Sequence, residues 1–185
     1  MKKYTIVAGV NGAGKTTLYN IESYLKNECR VNADEILSDM GGDWRNPADV
    51  FAAGKKAVER LNSFIDDGVC FNQETTLCGN TILNSITRAK ENGYLIEMHY
   101  IGLESSNLAK ERVAIRVASG GHGVNDEDIE RRYSQSFVNL TKVIPLCNLV
   151  ALYDNTEDFR RFAIYKDGVL VRKSSRCPEW FNRIQ

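Results

Sequence analysis

Gly9-Val10-Asn11-Gly12-Ala13-Gly14-Lys15-Thr16 satisfies G-x-x-x-x-G-K-[ST] at every fixed position. Average residue frequencies give such a match by chance in roughly one chain of this length in a couple of hundred. The flanks agree with it. Tyr4 to Ala8 is a short apolar, β-rich run, and Lys15 to Lys26 reads as a helix. A loop between a strand and a helix is where this pattern holds phosphate. The glycines let backbone N–H groups turn inward, and the helix N-terminus adds its positive end. Asn11, Gly12, Ala13, Gly14, Lys15, Thr16 and Thr17 are therefore the candidate nucleotide-binding residues. Lys15 is placed to reach the β- and γ-phosphates of ATP, and Thr16 is the candidate Mg²⁺ ligand.

Outward from the loop, strand and helix signals alternate. Cys29 to Asn32 is a brief strand-like stretch, and Ala33 to Met40 is a short helix stopped by Gly41-Gly42. Pro47 sits where a first-turn proline belongs, and Phe51, Val58, Leu61 and Ile65 carry helical spacing up to Gly68. Val69 to Gln73 is a strand, Thr81 to Asn92 a helix closed by Gly93, and Tyr94 to Ile101 a strand. Ser105 to Ala118 is a helix, and Ser119-Gly120-Gly121-His122-Gly123 follows it. Asn125 is placed to cap the next helix, which opens on Asp126, Glu127 and Asp128 and runs to about Ile144. Cys147 to Tyr153 is the last core strand, and Phe162 to Val171, with its Lys-Asp-Gly turn, reads as a hairpin.

Alternating β and α elements predict an α/β fold, a mostly parallel sheet with helices on both faces. Together with the loop this is a P-loop NTPase of kinase-like build, ending in a C-terminal β-hairpin. One domain over 1–185 is expected, with a helical lid at about 105–144 and the hairpin and tail at about 157–185. Lys+Arg and Asp+Glu both number 24, so the net charge is zero, which argues against a general nucleic-acid binder. No apolar run approaches the roughly 18 residues of a membrane span. The five cysteines form no C-x-x-C pair and read as reduced thiols of a cytoplasmic protein. The two histidines, His99 and His122, stand far apart, so zinc is not expected.

In such sheets ligands bind at the carboxyl ends of the strands, so residues just after strands are candidates. Asp34, 19 residues after Lys15, is placed to accept a proton from a substrate hydroxyl. The alternative is that Asn32 or Asp34 caps the short helix. Glu74 ends the third strand and is suited to hold Mg²⁺-bound water or a substrate hydroxyl. Thr75 and Thr76 are adjacent, so one of them at most is expected to face the same site. Arg112 and Arg116 share a helix face. On the next helix, an apolar face through Ile129, Tyr133, Phe137, Leu140 and Ile144 puts Arg132 on its flank and Arg131 nearly opposite. Two helices joined by glycines suit a closing lid that brings arginines to phosphate. His122 in that loop is a candidate substrate contact.

Gly9–Thr16, Asn32-Ala33-Asp34, Glu74-Thr75, Arg116–Gly121-His122, Arg131-Arg132-Tyr133 and Asp154-Asn155-Thr156 together resemble the zeta-toxin family of P-loop kinases, over roughly residues 4 to 156. The P-loop is generic, and the further blocks in that order make the likeness specific. The resemblance implies a kinase-like fold, ATP with Mg²⁺, an antitoxin partner, and phosphorylation of a nucleotide sugar such as UDP-N-acetylglucosamine. It also implies roles. Lys15 binds phosphate, Thr16 binds Mg²⁺ and Asp34 is the general base. Glu74 lies at the substrate end, Arg116 and Arg132 are the lid arginines, and Asp154 with Asn155 lies near the nucleotide base. Cys78 to Thr87 offers no counterpart of the family's sugar-nucleotide contacts, which leaves the acceptor open.

Two other classes compete with this reading. Ser119-Gly120-Gly121 and the strand ending at Asp154 superficially suit an ATPase switch of the ABC or repair type, but no Glu follows Asp154. A kinase acting on nucleic-acid ends draws on residues 157–185, which hold seven Lys/Arg and four Asp/Glu with Tyr165, Trp180 and Phe181 interleaved.

Overall fold

The apolar run after Lys2 forms β1 (Lys3–Gly9), and every residue from Tyr4 to Gly9 is buried, as a strand covered on both faces requires. The molecule, a computed structural model, is described over residues 1–26 and 29–184. Gln185, the last residue of the expected tail, lies outside the described residues. Parallel to β1 run β2 (Arg30–Asn32), β3 (Phe71–Thr75), β4 (Leu95–Gly102) and β5 (Leu149–Asp154). β6 (Arg160–Lys166) and β7 (Val169–Lys173) complete the sheet as the antiparallel hairpin. The order is β2-β3-β1-β4-β5-β6-β7. β1 is thus flanked by β3 on one side and β4 on the other, a switch point that opens a crevice at its carboxyl end.

The helices are α1 (Lys15–Ile21), α2 (Ala33–Asp39), α3 (Pro47–Asp67), α4 (Thr81–Glu91), α5 (Ser106–Ala118) and α6 (Asp126–Val143). Consecutive residues of a strand face opposite sides, and β4 shows what covers each. Tyr100 packs on Phe137 of α6 and on Trp180 of the C-terminal 3₁₀ turn. Its neighbour His99 lies beneath Tyr24, in the turn after α1. His99 is buried there, with its ring nitrogens at Tyr153 Oη (3.2 Å) and Glu97 Oε1 (2.8 Å). Among the described residues no helix is long and apolar enough to cross a membrane.

Two expectations are corrected by the structure. The first helix does not run from Lys15 to Lys26. It stops at Ile21, Glu22 turns extended, and Ser23–Leu25 forms a 3₁₀ turn. The reason is tertiary, because the Leu25 carbonyl accepts from the buried Asn72 amide of β3 at 3.2 Å. Asn125 stands at the N-cap of α6, yet its side chain makes no capping hydrogen bond. α6, within the expected lid at 105–144, packs on the core. α6 buries Ile129, Tyr133, Phe137 and Leu140. Its polar groups tie it down as well, with Tyr133 Oη donating to Leu103 O and the Asn139 amide donating to Leu77 O and Gly79 O.

The C-terminal turn packs on the end of the core at β4 and α6. Trp180 is 1% exposed and lies against Gly102, where a Cβ would stand 2.4 Å from the indole. Its Nε1 donates to Asp154 Oδ1 at 3.0 Å. Trp180→Ala opens a large cavity and leaves that carboxylate short of a donor, so urea unfolding should show a loss of about 3–5 kcal/mol.

Candidate active site

The P-loop takes its shape from two glycine positions. Gly12 has φ +72°, and a Cβ there would meet the Ala109 carbonyl of α5 at 2.9 Å. Gly14 has φ +92° at the N-cap of α1, with Asn155 Nδ2 at 2.8 Å from the same imagined atom. Only glycine fits left-handed backbone in such close quarters. Asn155 also donates to Ala13 O at 2.9 Å, so it pins the loop from β5. Lys15 curls back and donates to Gly9 O and Val10 O, both at 3.0 Å. Burial holds its ammonium below the ordinary lysine pKa, while Glu74 and Asp34 pull the other way. Asn11 is buried and its Oδ1 has no partner among the described residues. Thr16 and Thr17 are exposed in the first turn of α1.

Glu74 lies inside β3 rather than past it, because that strand extends through Thr75. Its carboxylate accepts from Thr16 Oγ1 at 3.1 and 3.2 Å and from Arg30 Nη2 at 2.8 Å. Glu74 thus faces the hydroxyl that is the candidate metal ligand. Sequence reasoning missed Arg30. Its guanidinium stacks 3.7 Å over the Tyr19 ring and also reaches Glu35. Its one visible signal was a charge opening an apolar strand. Thr75 and Thr76 both line the cleft described below. Face alternation ends with the strand at Thr75, whose hydroxyl accepts from Leu77 N at 3.0 Å.

Asp34 is exposed at the start of α2. Asn32 is the cap, its Oδ1 accepting from Asp34 N at 3.0 Å, so the Asp34 carboxylate is left for other work. His122 Nε2 lies 3.4 Å from Asp34 Oδ1. Desolvation lowers the imidazole pKa, with Asp34 opposing and Arg116 and Arg132 reinforcing. The loop's conformation rests on Trp44, which packs near the His122 ring and lies under Gly123, where a Cβ would stand 2.5 Å from the indole. A tryptophan in a polar loop was the available sign.

The arginines divide. Arg116 and Arg132 line the cleft with Lys15. Nε and Nη2 of Arg116 are buried without a partner among the described residues. Arg112 instead donates to Thr156 O at 3.1 Å, and Arg131 points outward to Asp128. Asp154 is 5% exposed and committed, accepting from Trp180 Nε1 and from Thr156 Oγ1 at 2.8 Å. It lines a separate small cavity beside Arg160 and Arg176. Tyr165, Trp180 and Phe181 are all buried, which takes away the aromatic part of the nucleic-acid cue.

These elements enclose one cleft of about 720 Å³ at the carboxyl ends of β1, β2 and β3. Four cations, Lys15, Lys55, Arg116 and Arg132, line it together with Asp34, Glu59 and Glu74. The arrangement can hold a polyanion on the cations. It can take up a proton at Asp34, and it can seat a divalent ion between Thr16 and Glu74.

No protein-family model matches the sequence. A protein of unassigned function from Haemophilus influenzae is 33% identical over 133 residues, covering 71% of this chain and 92% of the relative. Among solved structures, the AvrRxo1-ORF1:-ORF2 complex with ATP superposes with a TM-score of 0.68 at 15% identity. All of this chain is covered there and 63% of the other, so the chain spans somewhat under two thirds of that protein's length. The PezAT chromosomal toxin–antitoxin system of Streptococcus pneumoniae gives a TM-score of 0.62 at 15% identity, over 85% of this chain and 71% of that one. At such identity the likeness speaks for the fold.

Proposed function

The chain belongs to one family with the Haemophilus influenzae protein and has the fold of zeta-toxin-like P-loop kinases, and on that premise we propose that it transfers the γ-phosphate of ATP to a hydroxyl of a small molecule. The observation that carries this reading is Arg116. Its Nε and Nη2 are buried without a partner among the described residues, which is costly unless an anion meets them, and Arg116 lines the same cleft as Lys15. A P-loop with its lysine opposite an orphaned arginine is suited to a nucleotide's terminal phosphate.

The residues fit Mg²⁺ as well. Thr16 Oγ1 would ligate it, and Glu74 would hold its water or join it directly. When bound, the ion neutralises charge on the β- and γ-phosphates. The chain's own groups do the rest. Asp34 takes the proton from the acceptor hydroxyl, whose oxygen then forms its bond to the γ-phosphorus as the bond to the bridging β–γ oxygen breaks. Lys15, Arg116 and Arg132 lie against the charge that spreads over the transferring group. Asn155 keeps the loop in register. Neutral His122 leaves the base uncommitted.

The test is transfer of label from γ-labelled ATP-Mg, paired with calorimetric ATP titration. Lys15→Ala should weaken ATP binding about 10- to 100-fold, the worth of one or more charge-assisted hydrogen bonds. Wild-type affinity in that variant would remove the nucleotide assignment. We also propose a protein antitoxin as partner, on the likeness to AvrRxo1-ORF1:-ORF2 and PezAT, each of which was solved or studied with its partner. Co-purification of a neighbouring gene product with the chain tests it.

A further inference from the structure

Past Asp34 the cleft continues between α3 and α4, and its chemistry changes. Val58 and Leu61 of α3 and Ile82 of α4 wall it, with Phe51 at the mouth. Polar groups are few and partly committed. Ser85 Oγ donates to Thr81 O at 2.9 Å, and the Gln73 amide oxygen accepts from Tyr4 Oη. Among the residues lining this half, one cation is present, Lys55. It is exposed and lies 3.9 Å from Glu59, one helical turn on, so the pair is neutral. Of the other cations in the cleft, Arg116 is near enough to Lys15 to lower its pKa, and Arg132 acts on His122, beside Asp34, and on Cys78.

We propose that the phosphate acceptor is an uncharged, ring-bearing alcohol of about nucleoside size, seated between α3 and α4 with a hydroxyl at Asp34. The proposal rests on the kinase reading above and departs from the nucleotide sugar that the sequence resemblance implies. A diphosphate brings two negative charges that need fixed cations or water. Between Val58, Leu61 and Ile82 it would lose water and meet one neutralised lysine, a cost of several kcal/mol in principle. An apolar ring loses nothing comparable and gains burial. The cleft's 720 Å³ lies within the range of about 300–1,000 Å³ usual for small-molecule sites, with room for an acceptor beside a terminal phosphate.

The experiment uses the full chain saturated with a non-hydrolysable ATP analogue, titrated by calorimetry with uridine, adenosine and UDP-N-acetylglucosamine. Label transfer from γ-labelled ATP to each follows. At least one nucleoside should bind, and its kcat/KM should exceed that of the nucleotide sugar tenfold or more. Val58→Arg, at a half-buried position that tolerates a long side chain, should shift that ratio at least tenfold toward UDP-N-acetylglucosamine and leave affinity for the ATP analogue unchanged. A nucleotide sugar that binds tighter and reacts faster than both nucleosides overturns the proposal. So does binding of the ATP analogue with no nucleoside bound or labelled, and in that case the nucleotide site stands. Failure to bind the ATP analogue at all would instead bring down the kinase reading beneath it.

Discussion

Asp34→Asn lowers the rate of phosphoryl transfer about 10³-fold and leaves ATP affinity within roughly twofold, as loss of a general base does when binding is built elsewhere. Replacement by Asn keeps the size of the side chain and removes its capacity to take a proton. The helix end is not at risk, since Asn32 rather than Asp34 caps α2. Glu35 also remains in the first turn to meet the dipole. His122 gives this expectation a second, independent readout. Desolvation keeps its pKa below the ordinary 6.5, so it is neutral at pH 7 and protonates only as the pH falls beneath that value. Protonated, it pairs with Asp34 Oδ1, 3.4 Å away, and engages the carboxylate that must accept the proton. Turnover should therefore decline on the acid side of that window, and His122→Gln should move the decline to lower pH. Stopped-flow transfer rates from pH 5 to 8 check both. Equal loss of ATP binding and turnover in Asp34→Asn would reassign the residue to structure or metal.

What could be read from the chain alone follows from how local each signal is. The phosphate loop was legible because its glycines answer to positive φ at Gly12 and Gly14 and its lysine to a fixed offset. The parallel sheet was legible because buried strands read as apolar runs between helical spacings. The same locality explains the gaps. The end of α1 depends on Asn72, 47 residues away. The partner of Glu74 is Arg30, 44 residues back, and no spacing rule joins them. The resemblance put Asp154 near the nucleotide base, and the Trp180 indole that donates to it comes from the far end of the chain. The apolar face read on α6 is the one it packs against β4, although the spacing does not name that partner. Spacing alone did not separate Arg116 from Arg112, which share a helix face; the family resemblance picked out Arg116 and Arg132, and both line the cleft. The charge of the α3–α4 pocket was invisible for a related reason. It is set by which side chains of two distant helices meet, not by either helix alone.

Arg116→Met should cut turnover about 10²- to 10³-fold, the usual result of deleting one donor aimed at developing charge, and should at the same time stabilise the ligand-free protein. The two effects have one cause. Nε and Nη2 are buried with no acceptor among the described residues, so these two groups have given up water and received no anion in return. Methionine keeps the stem, and the stem matters, because Gly121 packs on it closely enough that a Cβ would stand 2.7 Å from Arg116 Cγ. Removing the charge removes the desolvation cost. For a chain of this length a gain of about 1 kcal/mol raises Tm by about 2–4 °C. Saturating ATP-Mg should then reverse the order, since a ligand that binds the native state stabilises it in proportion to ln(1 + [L]/Kd) and the wild type holds ATP through one more cation. Thermal unfolding with and without ATP-Mg, run beside the transfer assay, reads all three quantities. A structural arginine would behave oppositely, with Tm falling in Arg116→Met and the rate loss following the fraction unfolded. A lower apo Tm with unchanged turnover would sink the assignment of Arg116 to phosphate. Gly121→Ala supplies the converse, because it leaves the charge in place and pushes the stem, so turnover should fall with no gain in apo stability.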